Sequence, residues 1–182
     1  DVYDVVLSNM IKNWRALWKE EIPFLIVQIA PLGMWFSGNV DNYPLIREQQ
    51  AKVADVMNKV WITTTGDVGC EWDVHPKEKK KVGDRLALLA LGHVYEREIV
   101  CDPPKIVNME IEDGRVILSF ESVGEGLILK GQTINAITCY CEKKKIELQN
   151  VQVCGAEIII ESELIQKNCI VYIEYGMSPY YE

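Results

Sequence analysis

The stretch Phe24-Leu25-Ile26-Val27-Gln28-Ile29-Ala30 decides the fold class, because every position in it except Gln28 is apolar. A short apolar run without alternation is typical of a parallel strand that is covered on both faces. A second run of this kind, Val60-Trp61-Ile62-Thr63-Thr64, lies further along the chain. Two apolar strands separated by a helical stretch predict an α/β sheet of parallel strands.

Three helical patterns surround these two strands. From Tyr3 to Trp18 the apolar residues recur at the i, i+3, i+4, i+7 spacing of an amphipathic helix. A second helix is predicted from about Pro44 to Asn58, and a third from Pro76 to about Tyr95. Residues 1–97 are therefore predicted to form an α-β-α-β-α segment, which is part of a doubly wound, flavodoxin-like domain.

Two strands are fewer than an independently stable sheet normally needs. We therefore expect residues 1–97 to complete a sheet whose earlier strands belong to another polypeptide segment. The chain has no initiator Met and begins inside a helical pattern, so we also expect its natural N-terminus to be absent. The unmatched apolar surface should associate with the missing segment or with a second copy of the chain, as a homo-oligomer.

Residues 98–182 show a different periodicity. Alternating residues flank Asp113-Gly114 from Ile106 to Glu121, which predicts a β-hairpin. Further short strands are predicted near 127–130, 134–142, 145–149, 157–161 and 169–175, with turn residues between them. We expect a small all-β, sandwich-like accessory domain over this range.

Composition excludes several function classes. The formal net charge of −8 argues against nucleic acid and anionic membranes as partners, and no apolar run is long enough to span a bilayer. The chain has six cysteines, which are predicted to be free thiols, and only two histidines, which are too few for a typical catalytic zinc centre. No cofactor or metal is predicted, and the sequence does not indicate a cellular compartment.

The motif Asp73-Val74-His75-Pro76 is the strongest candidate for chemistry. Pro76 suits the first position of a helix, so His75 is predicted at or beside the N-cap, where the helix dipole disfavours imidazolium. A neutral imidazole with a neighbouring carboxylate is suited to act as a general base. The alternative is a capped helix with a surface histidine, and no convincing nucleophile accompanies the motif, since Ser37 has no strand ahead of it.

Other side chains have two interpretations each. Trp35, Phe36 and Tyr43 are predicted either to line a sugar or acyl pocket or to cover the sheet edge. Arg47 is predicted either to clamp the carboxylate of an acidic sugar or to hold Glu48 or a backbone carbonyl. His93, late in the third helix, is predicted to be structural.

The helix and strand near the start of the chain, the second helix, the Asp73–Pro76 motif and the β-rich tail occur in an order that resembles the C-terminal half of the sialate O-acetylesterases. This family consists of carbohydrate esterases of the SGNH hydrolase class. The most specific match is the block around Asp73–Pro76, which continues into a helix containing Gly83 and Arg85. The resemblance covers nearly the whole chain and is carried by four segments: Trp14–Ala30, Leu45–Gln50, Gly66–Ala87 and the β-rich tail up to Ile173–Gly176.

The resemblance implies a serine esterase that removes O-acetyl groups from sugars such as sialic acid. His75 matches the catalytic base and Asp73 is the best candidate for the acid, with Glu71, Asp67 or a backbone carbonyl as rivals. The wider superfamily usually has this acid three residues before the His, where this chain has Trp72. The family's nucleophile Ser and oxyanion Asn lie upstream of this chain, so the N-terminal half of the same enzyme is a predicted partner. The competing hypothesis is a non-catalytic carbohydrate-binding or packing module.

Overall fold

A computed structural model describes residues 2–34, 40–112, 114–129, 134–166 and 169–181. The described chain forms two compact units, the first reaching Asp102 and including Ser178–Tyr181, and the second covering Pro103–Met177. The sequence had predicted the division between residues 97 and 98. The elements are α1 (Tyr3–Trp18), β1 (Phe24–Val27), α2 (Tyr43–Val56), β2 (Val60–Thr63), α3 (Lys79–Leu89), a π-helical turn (Ala90–Val94), β3 (Lys105–Glu112), β4 (Arg115–Glu121), β5 (Ile137–Cys141), β6 (Lys144–Ile146), β7 (Asn150–Cys154), β8 (Glu157–Glu161) and β9 (Val171–Tyr175).

Helix α1 confirms the periodicity found near the start of the sequence. It ends at Lys19, whose left-handed backbone (φ 53°) brings its amide to the Ala16 carbonyl. Ile11 is fully buried, and Leu7 packs against the same cluster. Other apolar side chains of the helix remain exposed, so the amphipathic face is only partly covered.

Strands β1 and β2 pair in parallel, from Phe24 opposite Val60 to Val27 opposite Thr63. Val60 packs with Ile11 and Val53 of the two preceding helices, whereas its neighbour Trp61 stacks on the His93 ring. Since successive strand residues point to opposite faces, helical elements cover both faces of this pair. The prediction of parallel strands is thus confirmed for two strands.

The burial expected for β1 is not observed. Its residues are half-buried and Val27 is exposed, although a strand inside a doubly wound sheet would be covered throughout. The physical reason is that the described sheet has only the order β1-β2, so each strand has one edge without a neighbouring strand.

The second unit consists of two antiparallel sheets, with strand orders β3-β4-β8-β7 and β6-β5-β9. Both sheets contribute side chains to one apolar core, which makes the unit a two-layer β structure. The buried members of this core are Val116, Leu118, Ile137, Cys139, Ile146, Ile158, Ile160, Ile165 and Val171.

Several predicted boundaries differ from the structure. The stretch 127–129 is not in a strand, and of the predicted strand 145–149 only residues 145–146 are in a strand, β6. The hairpin predicted around Asp113-Gly114 is present as β3 and β4, which pair from Glu112 opposite Arg115. Within the described ranges, no helix is both long enough and apolar enough to cross a bilayer.

Candidate active site

The loops that follow β1 and β2 are joined at the carboxyl edge of the parallel pair. The Gly33 and Met34 amides both donate to the Glu71 carbonyl at 3.0 Å. Gly69 packs so closely on Pro31 that an added Cβ would lie 2.5 Å from the Pro31 carbonyl oxygen, so any larger residue would push the loops apart. The sequence therefore fixes the loop after β2 at the sheet edge where ligands gather in open α/β folds.

Asp73 and His75 form a local pair on this loop. The Asp73 Oδ1 atom accepts the His75 backbone amide at 2.9 Å, which closes an Asx-turn, and lies 3.2 Å from Nδ1 of the His75 ring. The backbone hydrogen bond from His75 is the main cause that lowers the pKa of the Asp73 carboxyl. The His75 side chain is 80% exposed. This geometry directs Nδ1 toward a carboxylate and leaves Nε2 accessible, as a general base requires.

The position of His75 relative to α3 differs from the prediction. The helix begins at Lys79 with Glu78 as its N-cap, so Pro76 is not the first helical residue and His75 is not beside the cap. The N-cap makes no side-chain hydrogen bond, and three lysines occupy the first turn, which does not favour an earlier start. The argument from the helix dipole therefore does not apply to His75. The side chain that contacts its ring is Asp73.

The rival carboxylates have other partners or contacts. Asp67 forms a two-atom ion pair with Arg85, at 2.7 and 2.8 Å, and Arg85 also donates to the Thr64 carbonyl. The Arg85 guanidinium lowers the pKa of the Asp67 carboxyl. Glu71 contributes its backbone carbonyl to the joined loops, and its Cγ packs beside Gly33. Among the three acids, Asp73 is the one that hydrogen-bonds to the His75 ring.

A buried polar network supports the carboxyl end of β1. The Gln50 side chain accepts the Ile29 amide at 2.8 Å, and the Gln28 side chain donates to the Arg47 carbonyl at 3.1 Å. Thr65, which is fully buried, donates its hydroxyl to the Gln28 carbonyl at 2.7 Å. Through these bonds α2, the loop after β1 and the loop after β2 are connected to one another.

Arg47 is 5% exposed and holds the C-terminal segment of the first unit. Its guanidinium donates to the Ser178 carbonyl at 2.5 Å and to the Pro179 carbonyl at 3.5 Å, and it lies over the Tyr181 ring. The sequence analysis left three partners open for Arg47: the carboxylate of a sugar, Glu48 and a backbone carbonyl. The structure shows backbone carbonyls among its partners.

The predicted aromatic pocket is only partly visible. Tyr43 is half-buried at the first position of α2, and its amide donates to the Val40 carbonyl. Trp35, Phe36 and the alternative nucleophile Ser37 lie outside the described residues.

The sequence did not predict a second cluster of ionisable side chains, which lies around His93. The His93 Nε2 atom lies 2.7 Å from Asp102 Oδ1 and 3.4 Å from Cys101 Sγ, and its ring stacks on Trp61. Burial, with Asp102 next to it, raises the pKa of the Cys101 thiol, which disfavours a thiolate nucleophile. The sequence feature that could have indicated this cluster is the Cys101-Asp102 pair, which follows His93 by eight and nine residues. The thiols of the described cysteines are all free, as predicted.

The fold of the chain is similar to that of a carbohydrate acetylesterase from Xanthomonas citri, with a TM-score of 0.80 and 25% sequence identity. The similarity covers 97% of this chain and 41% of that protein, so the chain spans less than half of its structural neighbour. No protein-family model matches the sequence. Comparison with curated proteins gives no match either. The carbohydrate-esterase resemblance is thus supported through a solved structure, and specificity for sialic acid stays a prediction.

Proposed function

We propose that this chain is part of a serine carbohydrate esterase that removes O-acetyl groups from sugars. The observation that carries the proposal is the similarity, over 97% of the chain, to a carbohydrate acetylesterase, at a TM-score of 0.80. The Asp73–His75 pair at the carboxyl edge of the parallel strands supports it independently, because a carboxylate and an accessible imidazole are the base half of a hydrolytic triad.

In this mechanism His75 acts through Nε2. It takes the proton of a serine hydroxyl as the serine oxygen attacks the acetyl carbonyl, and it gives that proton to the sugar oxygen as the sugar leaves. A water molecule then attacks the acetyl-serine ester while His75 accepts its proton, and His75 returns that proton to the serine oxygen as the ester bond breaks and acetate is released. Asp73 keeps the ring oriented through Nδ1 and stabilises the imidazolium that forms in each half of the reaction.

The serine and the oxyanion donors are proposed to come from an upstream segment of the same enzyme. In the part of the chain that is described, the His75 ring hydrogen-bonds to Asp73 and to no serine. Within the described ranges the parallel sheet pairs only β1 with β2, and α1 leaves Leu17 79% exposed and Trp18 60% exposed. An additional segment that contributes strands next to this pair would cover such surface and complete a doubly wound, SGNH-type sheet.

The substrate is proposed to be an O-acetylated sugar such as sialic acid, by resemblance to the sialate O-acetylesterases. The acetyl ester is the group that reacts, and the sugar that carries it would occupy a separate binding pocket. Tyr43, which begins α2, together with Trp35 and Phe36, is proposed to contribute to that pocket.

The first test is a substitution in an enzyme that contains both this chain and the upstream segment. His75→Ala should lower kcat on an aryl acetate by roughly a thousandfold, because the nucleophile loses its base. Asp73→Asn should lower kcat less than His75→Ala does if a backbone carbonyl shares the orienting role. Lys77→Ala, two residues away on the same exposed loop, is the matched control and should retain normal turnover. Near-normal turnover of His75→Ala would remove His75 from the mechanism.

The second test separates the two segments. Residues 1–182 alone should hydrolyse an aryl acetate no faster than background, and mixing with the upstream segment should restore activity. Full activity from this chain alone would contradict the proposed division and would direct attention to Ser37. A mixture that associates tightly but stays inactive would favour a packing or carbohydrate-binding role.

A further inference from the structure

Three different ligand-type side chains meet at the end of the third helix of the first unit. The His93 Nε2, Cys101 Sγ and Asp102 carboxylate atoms lie within 4.8 Å of one another, and each side chain is half-buried. Nε2 is 2.7 Å from Asp102 Oδ1 and 3.4 Å from Cys101 Sγ, and Sγ is 3.8 Å from Asp102 Oδ2. This cluster is separate from the Asp73–His75 pair in sequence and in its hydrogen bonds.

The direction of the contacts distinguishes this cluster from a catalytic triad. In a triad the acid binds one ring nitrogen of the histidine and the nucleophile binds the other. Here the thiol and the carboxylate both approach the same nitrogen, Nε2 of His93. Three donor atoms that converge on one point are arranged as ligands of a common centre and not as a proton relay.

The distances fit a tetrahedral metal ion. Zinc bonds of about 2.0 to 2.3 Å to nitrogen, oxygen and sulfur imply ligand–ligand separations of roughly 3.3 to 3.6 Å. The observed sulfur contacts of 3.4 and 3.8 Å are within a few tenths of that range. Only the His93–Asp102 contact, at 2.7 Å, must open by about 0.6 Å, which a rotation of the half-exposed Asp102 carboxylate can provide.

The surrounding residues hold this geometry in place. His93 lies in the π-helical turn Ala90–Val94, a type of turn that often occurs at functional sites. Its ring is stacked on Trp61 with a centroid distance of 4.6 Å, which fixes the ring plane. A Cβ at Gly92 would lie 2.3 Å from Cys101 Sγ, so the glycine provides the space that the thiol occupies.

We propose that His93, Cys101 and Asp102 form a binding site for a divalent cation of the zinc class, with the fourth position open to water. Nitrogen, sulfur and carboxylate oxygen together favour zinc over calcium or magnesium, which take oxygen ligands. On binding, the Cys101 thiol loses its proton to solvent and His93 coordinates as the neutral ring through Nε2. The ion would join the π-helical turn to the segment around Cys101 and stabilise this end of the first unit.

Metal titration of the full chain tests the proposal. Zinc chloride, followed by competition with a chromophoric chelator, should show one equivalent bound at this site with release of about one proton. Cobalt(II) in place of zinc should produce a thiolate-to-cobalt charge-transfer band. Cys101→Ser should abolish that band and weaken zinc binding by roughly a hundredfold, because oxygen replaces the thiolate ligand.

Two further variants keep the result interpretable. Asp102→Asn should weaken zinc binding while leaving the cobalt–thiolate band detectable at higher metal concentration. Cys70→Ser, a half-buried cysteine of the same unit, is the matched control and should bind zinc as the natural chain does. Circular dichroism of each metal-free variant checks folding, and zinc should raise the Tm of the natural chain and of Cys70→Ser but not of Cys101→Ser. Equal zinc affinity in Cys101→Ser and the natural chain, or no zinc uptake by the natural chain, would overturn the proposal.

Discussion

The two units of this protein differ in what fills their interiors. Among the described residues, the second unit has one buried apolar cluster of nine residues, whereas the buried cluster of the first unit has three, Ile11, Val53 and Val60. Other buried apolar residues of the first unit, such as Leu32 and Leu89, lie outside that cluster. The buried polar residues of the described ranges show the opposite distribution, since Arg47, Gln50, Thr63 and Thr65 belong to the first unit and only Ser162 to the second.

This difference indicates that the interiors of the two units have different roles. Apolar side chains from two sheets enclose a core within the second unit, and their burial stabilises it. The first unit uses directional hydrogen bonds to hold loops at a sheet edge, and it leaves an apolar helix face exposed. A unit of this kind positions a site accurately, and under the proposed function an upstream segment would supply part of its stability.

The largest expected effect is a cavity in the second unit. Ile160 is fully buried, so Ile160→Ala should lower the free energy of unfolding of this unit by about 3 kcal/mol through lost burial and an unfilled cavity. Hydrogen exchange of the β4 and β8 amides should report the loss. All five tryptophans lie before residue 73, so tryptophan fluorescence follows the first unit separately. A cost below about 1 kcal/mol would contradict a closed apolar core.

Arg47→Met tests the polar interior of the first unit. The substitution leaves the Ser178 and Pro179 carbonyls without their guanidinium donor, which should cost about 2 kcal/mol. The C-terminal segment Ser178–Tyr181 should then become accessible to carboxypeptidase. Arg47→Lys, which keeps the charge but loses the planar fork, should show an intermediate loss. Unchanged resistance to carboxypeptidase would mean that Arg47 does not hold this segment.

Asp67→Asn should produce a smaller and pH-dependent change. The ion pair with Arg85 depresses the pKa of the folded Asp67 carboxyl below 3.8, so its stabilisation is present above that pH and is lost as pH falls through the folded value. The groups are partly exposed, and the contribution should be about 0.5 kcal/mol near neutral pH. Urea unfolding at pH 7 and pH 3 should show that the natural chain exceeds the variant at pH 7 and that the difference shrinks at pH 3. A difference independent of pH would contradict the ion-pair explanation.

The smallest effect on stability is expected on the exposed face of α1. Leu17 is 79% exposed, so Leu17→Glu should change the free energy of unfolding by less than about 0.5 kcal/mol. The same change should reduce self-association of the chain in sedimentation and weaken its association with the upstream segment. Asn13→Glu, at an exposed polar position on the same helix, introduces the same charge and is the matched control. A large loss of stability in Leu17→Glu would show that this face is already covered.

The sequence predicted the elements whose patterns are long and regular. The apolar spacing from Tyr3 to Trp18 and the two apolar runs at Phe24 and Val60 became α1, β1 and β2, and Asp113-Gly114 marked the hairpin of β3 and β4. The start of α3 was wrong because proline is compatible with a helix start but does not require one, and no side chain caps the helix there.

The contact between Asp73 and His75 was predictable from the sequence, whereas the cluster of His93 with Cys101 and Asp102 was not. Asp73 and His75 are two residues apart, so their contact is a turn interaction that can be inferred from sequence. The meeting of His93 with Cys101 and Asp102 depends on a π-helical turn and on the ring of Trp61, which comes from a distant strand. Neither contact leaves a periodic signal, and His93 was therefore interpreted as structural.

The register of the strands also determines the order in which the chain can fold. Strands β7 and β8 pair through Cys154 opposite Glu157, so a two-residue turn brings them together on the microsecond scale. Pairing Phe24 with Val60 requires closure of a long loop that includes all of α2, and such non-local contacts form more slowly. We therefore expect the parallel pair to assemble later than the hairpin, so that strand edges left without a neighbour in the described chain stay available for incorrect pairing for longer.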